Sequence, residues 1–285
     1  MTNNLGFHCH SIGDFDRAII HHGLRRGEFY NMPAEDLPEL RRRIIQHSIA
    51  VSVHAPLERL SWYPAPPTFT FLCEADSERR QLSLRMIEET MKEAQELGAE
   101  HVVVHFPSPG CNSEGNAGTY DEAFEIAWHS AELLADMSQR YETSIHMEGF
   151  GPSPFLNVQF LTQVITNFPS LRYCFDTGHM HIQSSHFGFD FYEFARDMAP
   201  YIGSIHLWNN RGIEDYQTYR HIPVHPSQYP EEGWGDIARI LRLVIAHNPA
   251  CTITLESSLY YPEQLGGYNI GECVAWVKEL INTMS

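Results

Sequence analysis

Six residues in this chain have types suited to metal or proton chemistry and share one kind of position. His54, His105, Glu148, Asp176, His206 and Glu256 each stand at or next to the end of a short apolar run. Carboxylates crowded into one pocket repel each other, and without a counter-charge their pKa values rise. A divalent cation removes that conflict, and imidazole with carboxylate is a ligand set for Zn²⁺, Mn²⁺ or related ions. A structural hydrogen bond would explain any one of these histidines. The convergent set of three carboxylates and three imidazoles points to a metal or catalytic centre.

Weaker candidates surround these six. His179 and His181 lie just past Asp176, His221 and His225 lie in a later loop, and His8, His10 and Glu28 are near the start of the chain. Each of His8, His10, His181 and His225 is read equally well as structural or functional. His21, His22 and His129 have no run-end position and read as surface or helix-packing residues.

The apolar runs are strand-like and alternate with longer helical patterns. Strands are expected at Leu5 to His8, Gly27 to Tyr30, Ile49 to His54, His101 to His105, Ser144 to Glu148, Leu171 to Asp176, Ile202 to Leu207 and Cys251 to Glu256. Helices are expected at Pro33 to Gln46, Ser77 to Leu97, Thr119 to Tyr141, Asn157 to Phe168, Asp190 to Met198, Asp236 to His247 and Ile270 to Thr283. Regular β-then-α alternation implies a parallel sheet with right-handed crossovers. Eight such units imply α/β architecture closed into a single (β/α)₈ TIM barrel, one domain over residues 1–285. All strand C-termini then share one face, so the six residues converge there. An open doubly wound sheet is the rival, but no Gly-rich phosphate turn follows the first strand.

Charge narrows the partners. Against 36 acidic residues there are 19 basic ones, a net charge of -17, and lysine occurs only at Lys92 and Lys278. Polyanions are repelled at long range, so no nucleic-acid partner is expected. Arg25-Arg26, Arg41 to Arg43 and Arg79-Arg80 are the basic clusters, the last two on helix patterns that read as solvated faces. No apolar stretch spans a bilayer, and the start MTNNLGFHCHS lacks the regions of a signal peptide, so a cytoplasmic protein without a membrane partner is expected. The six cysteines, Cys9, Cys73, Cys111, Cys174, Cys251 and Cys273, form no CxxC pair and read as reduced thiols.

Val53-His54-Ala55-Pro56, Val104-His105, Met147-Glu148-Gly149, Phe175 to His179, Ile205-His206-Leu207 and Leu255-Glu256 together resemble the xylose-isomerase-like superfamily of barrels. That group includes sugar isomerases and epimerases and the endonuclease IV family. The resemblance implies a metal site of Glu148, Asp176, His206 and Glu256. In the sugar branch one ion, often Mn²⁺, holds two substrate oxygens there, and the counterparts of Glu148 and Glu256 move protons. The counterpart of His179 and a nearby arginine contact substrate; Arg211 is the best-placed arginine here. In the endonuclease branch up to three zinc ions bind. His54 and His105, with Glu148 bridging, would hold a second ion, but the Asp-x-His of the third site reads Tyr219-Arg220-His221.

The expected function is therefore divalent-metal-dependent isomerisation or epimerisation of a small sugar or related hydroxy-ketone through an enediolate, using Mn²⁺ or Zn²⁺. Glu148 and Glu256 are the expected proton carriers, and His179, Arg211, His221 and Trp62 the expected substrate contacts. Trp62, with Tyr63 and Phe69, lies in an aromatic loop able to cover a sugar face. The alternatives are an endonuclease IV-like phosphodiesterase, disfavoured by charge and by Tyr219, and an inactive metal-binding barrel. Barrels of this type often form homo-oligomers, though no interface stripe is evident.

Overall fold

The computed structural model describes residues 4–108, 119–149 and 151–284. Eight strands, β1 (Leu5–Cys9), β2 (Arg26–Phe29), β3 (Ala50–His54), β4 (His101–His105), β5 (Ser144–Glu148), β6 (Leu171–Asp176), β7 (Ile202–Leu207) and β8 (Thr252–Leu255), close in sequence order into a parallel barrel. This is the TIM-barrel fold. Register places His105 opposite Glu148 on β4 and β5, and His206 opposite Thr254 on β7 and β8.

Chain contacts divide into two compact units. One contains Met1–His8, Gly13–Gly27 and Phe175–Ser285; the other contains Cys9–Ile12 and Glu28–Cys174. In the second unit the helix Ser77–Leu97 starts where the Asp76 carboxylate accepts from the Glu78 and Arg79 amides, and stops at Gly98, whose φ of 68° suits a left-handed cap. In the first unit the helix Ile237–His247 buries Ile237, Ile240, Leu241, Val244 and Ile245, one stripe at helical spacing. Such stripes, not helix propensity, hold helices of this length in place.

Three helical stretches depart from the sequence reading. A helical segment follows β1 over Ile12–Asp14 and Phe15–Ile20, the second part π-helical. Thr177–Phe187, which reads as loop, is a helix capped by Asp176, and Ile213–Tyr219 is a short helix in what reads as a long loop. The last buries none of its own residues, so it leaves no apolar period to detect.

The basic clusters are largely neutralised. Arg26 is buried within β2, which corrects its reading as half of a basic surface cluster. Arg41 pairs with Glu96, Arg42 and Arg43 with Glu39, and Arg79 with Glu74. Cys9, Cys73, Cys174, Cys251 and Cys273 are buried free thiols; Cys111 and most of the Phe106 to Gly118 loop lie outside the described residues. Among the described residues no helix is long and apolar enough to cross a membrane.

Candidate metal centre

Strands β3, β4 and β5 end in His54, His105 and Glu148. The three side chains are buried, and the two imidazole rings meet edge-on, 4.8 Å between centroids. Each ring is tied to the backbone through Nδ1: His54 to the Ala55 carbonyl at 3.1 Å, His105 to the Thr68 carbonyl at 2.6 Å. A carbonyl oxygen only accepts, so Nδ1 carries the proton in both rings. Nε2 of both then faces one atom, Glu148 Oε2, at 3.3 Å from each. Neutral rings in this tautomer direct two nitrogen lone pairs at a carboxylate oxygen. That is repulsive unless the rings are protonated or a cation lies among them. An Nδ1–H donor to a carbonyl with Nε2 left as ligand is the usual arrangement of a metal-binding histidine.

Asp176 ends β6 and caps the helix Thr177–Phe187. Its Oδ1 accepts from the His179 amide at 2.6 Å and its Oδ2 from Trp208 Nε1 at 2.8 Å. Both oxygens are thus held in place while retaining lone pairs for a further partner. Trp208 is fully buried two residues beyond His206, and its indole stacks on His221 at 4.2 Å. Gly178 makes room for it, since a Cβ there would lie 2.2 Å from the indole ring. Thr177 Oγ1 donates to the Trp208 carbonyl at 2.6 Å.

Glu256 follows β8 and gathers histidines. His206 Nδ1 lies 2.8 Å from its Oε2, and His8 and His221 lie 3.5 and 3.8 Å from its Oε1. Burial pushes this carboxyl's pKa up, but the close approach of His206, joined by His8 and His221, outweighs burial and holds it well below the usual range. His221 is fixed by its Nδ1 donating to the backbone carbonyl of Glu256 at 2.9 Å. Glu256 Oε2 is buried and lacks a well-aligned donor despite the short approach of His206, so it too keeps a lone pair for a further partner.

Glu148, Asp176, His206 and Glu256 each offer a ligand atom, and these atoms all lie within 4.8 Å of one another; His54, Glu148 and His206 meet the same criterion. Three hard carboxylate oxygens and one imidazole nitrogen suit Mn²⁺ or Zn²⁺, so the residues present fit a divalent ion. The chain is also matched over residues 9–280 by the family described as the xylose isomerase-like TIM barrel. It belongs to that family. No curated protein matches it in sequence.

Solved structures of similar shape include a D-tagatose 3-epimerase-like protein, 18% identical, covering 98% of this chain and 97% of the other with a TM-score of 0.70. An L-ribulose 3-epimerase is 16% identical over 98% and 95% of the two chains, with a TM-score of 0.68. The TTHB071 protein from Thermus thermophilus, solved after soaking with ZnCl₂, is 21% identical over 98% of both chains, with a TM-score of 0.65. At these identities the likeness is one of fold.

Within this xylose isomerase-like barrel the expected substrate contacts fare unequally. His179 is half-buried and meets Trp208, Tyr216 and His221 edge-on at 5.1 to 5.7 Å. His221 stands beside Glu256 as described. Trp62 is half-buried under the Arg85 guanidinium, 4.2 Å from its ring centroid, and lines a cavity of about 360 Å³ with Pro56, Arg59 and Glu93. Arg211 is committed to Asp215, which accepts from its Nε at 2.8 Å and its Nη2 at 3.0 Å.

Three residues near the carboxylates carry no strong sequence signal. His8 reaches Glu256, Trp208 holds Asp176, and Tyr216 packs against His179, Trp208 and His221. Trp208 lies just past the Ile205-His206-Leu207 run, which is the one clue the sequence offers.

Proposed function

We propose that this chain is a divalent-metal-dependent isomerase or epimerase acting on a small sugar or related hydroxy-ketone. The observation that carries the reading is the grouping of Glu148, Asp176, His206 and Glu256 within ligand distance of one another. A divalent ion bound there would acidify the C–H beside a ketone and stabilise the enediolate. Glu148 and Glu256 are carboxylates able to take a proton from that carbon and return one to the same or the other face. Asp176, held at both oxygens, contributes position and charge rather than proton transfer. His206, whose Nδ1 lies 2.8 Å from Glu256 Oε2, would share the ion with that carboxylate. His179 and His221 are the proposed contacts to substrate hydroxyls.

His54 and His105 are proposed as ligands of a second ion shared through Glu148, on the strength of their common tautomer. That feature also belongs to a two-ion phosphodiesterase reading. The scarcity of lysine and the pairing of the arginine clusters with acids oppose binding of a nucleic-acid backbone. A small-molecule substrate fits better than a polyanion, and a cytoplasmic setting remains the expectation.

The test is a substrate panel with metal-loaded protein: aldoses, ketoses, inosose-like ketones and hydroxypyruvate, beside an abasic-site DNA duplex. Isomerisation of at least one ketone and no strand incision is the expected result. Incision at catalytic rates, lost in Asp176→Asn, would replace the isomerase reading with the phosphodiesterase one.

A further inference from the structure

The loop after β7 carries two arginines that differ in their surroundings. Arg211 is neutralised by two hydrogen bonds to Asp215. Arg220 has no carboxylate partner among the described residues, in a chain where acids outnumber bases 36 to 19. Its guanidinium is exposed and lies over the Tyr216 ring, 5.6 Å from the centroid.

The backbone of Arg220 is strained. Its φ of 60° and ψ of −134° belong to a region that glycine occupies freely and other residues rarely do. Neighbouring hydrogen bonds impose it: Arg220 N donates to the Tyr216 carbonyl at 3.0 Å, Asn209 N to the Ile222 carbonyl at 3.0 Å, and Ser258 N to the His221 carbonyl at 3.0 Å. Glycine would serve the turn better, so the turn alone gives no reason for arginine here.

The position does give one. The next residue, His221, stacks on Trp208 and reaches Glu256. Tyr216 packs on that same His221 and on Trp208, whose indole holds Asp176, and the Arg220 guanidinium lies over its ring. The Tyr216–Arg220 pair therefore stands next to the proposed metal carboxylates. A guanidinium with free donors fits a carboxylate or phosphate oxyanion in two-point geometry.

We infer that Arg220, steadied by Tyr216, is a subsite for an oxyanion at the end of the substrate, so that the hydroxy-ketone handled here carries a carboxylate or a phosphate. The metal and proton chemistry of this inference rests on the isomerase reading; the anion subsite does not. A neutral sugar would accept hydrogen bonds from the guanidinium but leave its charge unpaired.

Matched probes test this: dihydroxyacetone, hydroxypyruvate and dihydroxyacetone phosphate share a ketone and a neighbouring hydroxyl and differ at one end. Binding of each to metal-loaded protein is measured by calorimetry for the wild type, Arg220→Gly and Arg220→Gln. One or both acidic probes should bind at least about tenfold more tightly than dihydroxyacetone to the wild type, and both variants should lose that preference while binding dihydroxyacetone within about twofold of wild type. Arg220→Gly should melt no lower than wild type, which shows that the loss is not unfolding. No acidic preference in the wild type, or one that survives in both variants, would overturn the subsite. Exchange of the probe C–H in D₂O is read on the same samples. An Arg220-dependent preference without exchange of any ketone would count against the isomerase reading alone.

Discussion

The two glutamates proposed to move protons sit in different company. Glu148 is almost fully buried, at 1% side-chain exposure, and its Oε2 faces two imidazoles whose Nδ1 atoms are locked to loop carbonyls. Glu256 is 14% exposed and is approached by three histidines from β1, β7 and a loop, one of them anchored to its own backbone. The first neighbourhood is a fixed nitrogen cage suited to holding an ion. The second is a more open carboxylate with room for a substrate beside it, which suits a group that exchanges protons with substrate. The same residue type thus serves two ends because its neighbours differ.

The largest effects should fall on the glutamates themselves. Glu148→Gln and Glu256→Gln should each lower turnover by roughly 10²- to 10⁴-fold, since an amide cannot take a proton. They should differ in metal: Glu148→Gln should lose more, because Glu148 belongs to both ligand groups and Glu256 to one. Elemental analysis showing equal metal in the two variants would remove the distinction drawn here. Normal turnover in either would remove that residue from proton transfer.

A smaller effect is expected at the nitrogen cage. His54→Ala or His105→Ala should each release one of two bound ions and leave the ion held by Asp176, His206 and Glu256. Metal titration checks this. If both variants keep full metal content, the two histidines are structural or contact substrate.

The smallest effect lies away from both glutamates and serves as their control. Burial, helped by the nearby Glu58 carboxylate, pushes Glu93 up to about 7. A carboxyl whose folded pKa exceeds its unfolded value favours the fold at low pH and loses that advantage as pH rises through the folded value. Glu93→Gln should therefore raise stability at pH 8 by about 1–2 kcal/mol after allowance for solvent screening, and change it little at pH 5. Equal effects at the two pH values in thermal melts would contradict the shift. Metal content should not change in this variant.

Most of the barrel is legible in the sequence. Runs such as His101–His105, Ser144–Glu148 and Ile202–Leu207 are bounded on both sides and match the observed strands to the residue. Their polar end residues follow directly, because a parallel barrel puts all strand ends on one face. The helix Thr177–Phe187 is hidden, since its residues are polar and histidine-rich and show no apolar stripe; its start depends on a cap from Asp176. Side-chain partnerships are hidden too. Nothing in the spacing shows that Asp215 claims Arg211, that Trp208 holds Asp176, or that Arg220 is left without an acid. These depend on where loops return, which pattern does not encode.

The central claim is that the strand-end carboxylates and imidazoles form a metal centre, and metal content tests it most directly. Protein purified without chelator should carry at least one tightly bound divalent ion per chain by elemental analysis, and removing it should lower the melting temperature reversibly. Substoichiometric metal, with no gain in thermal stability when Mn²⁺ or Zn²⁺ is added, would contradict the account.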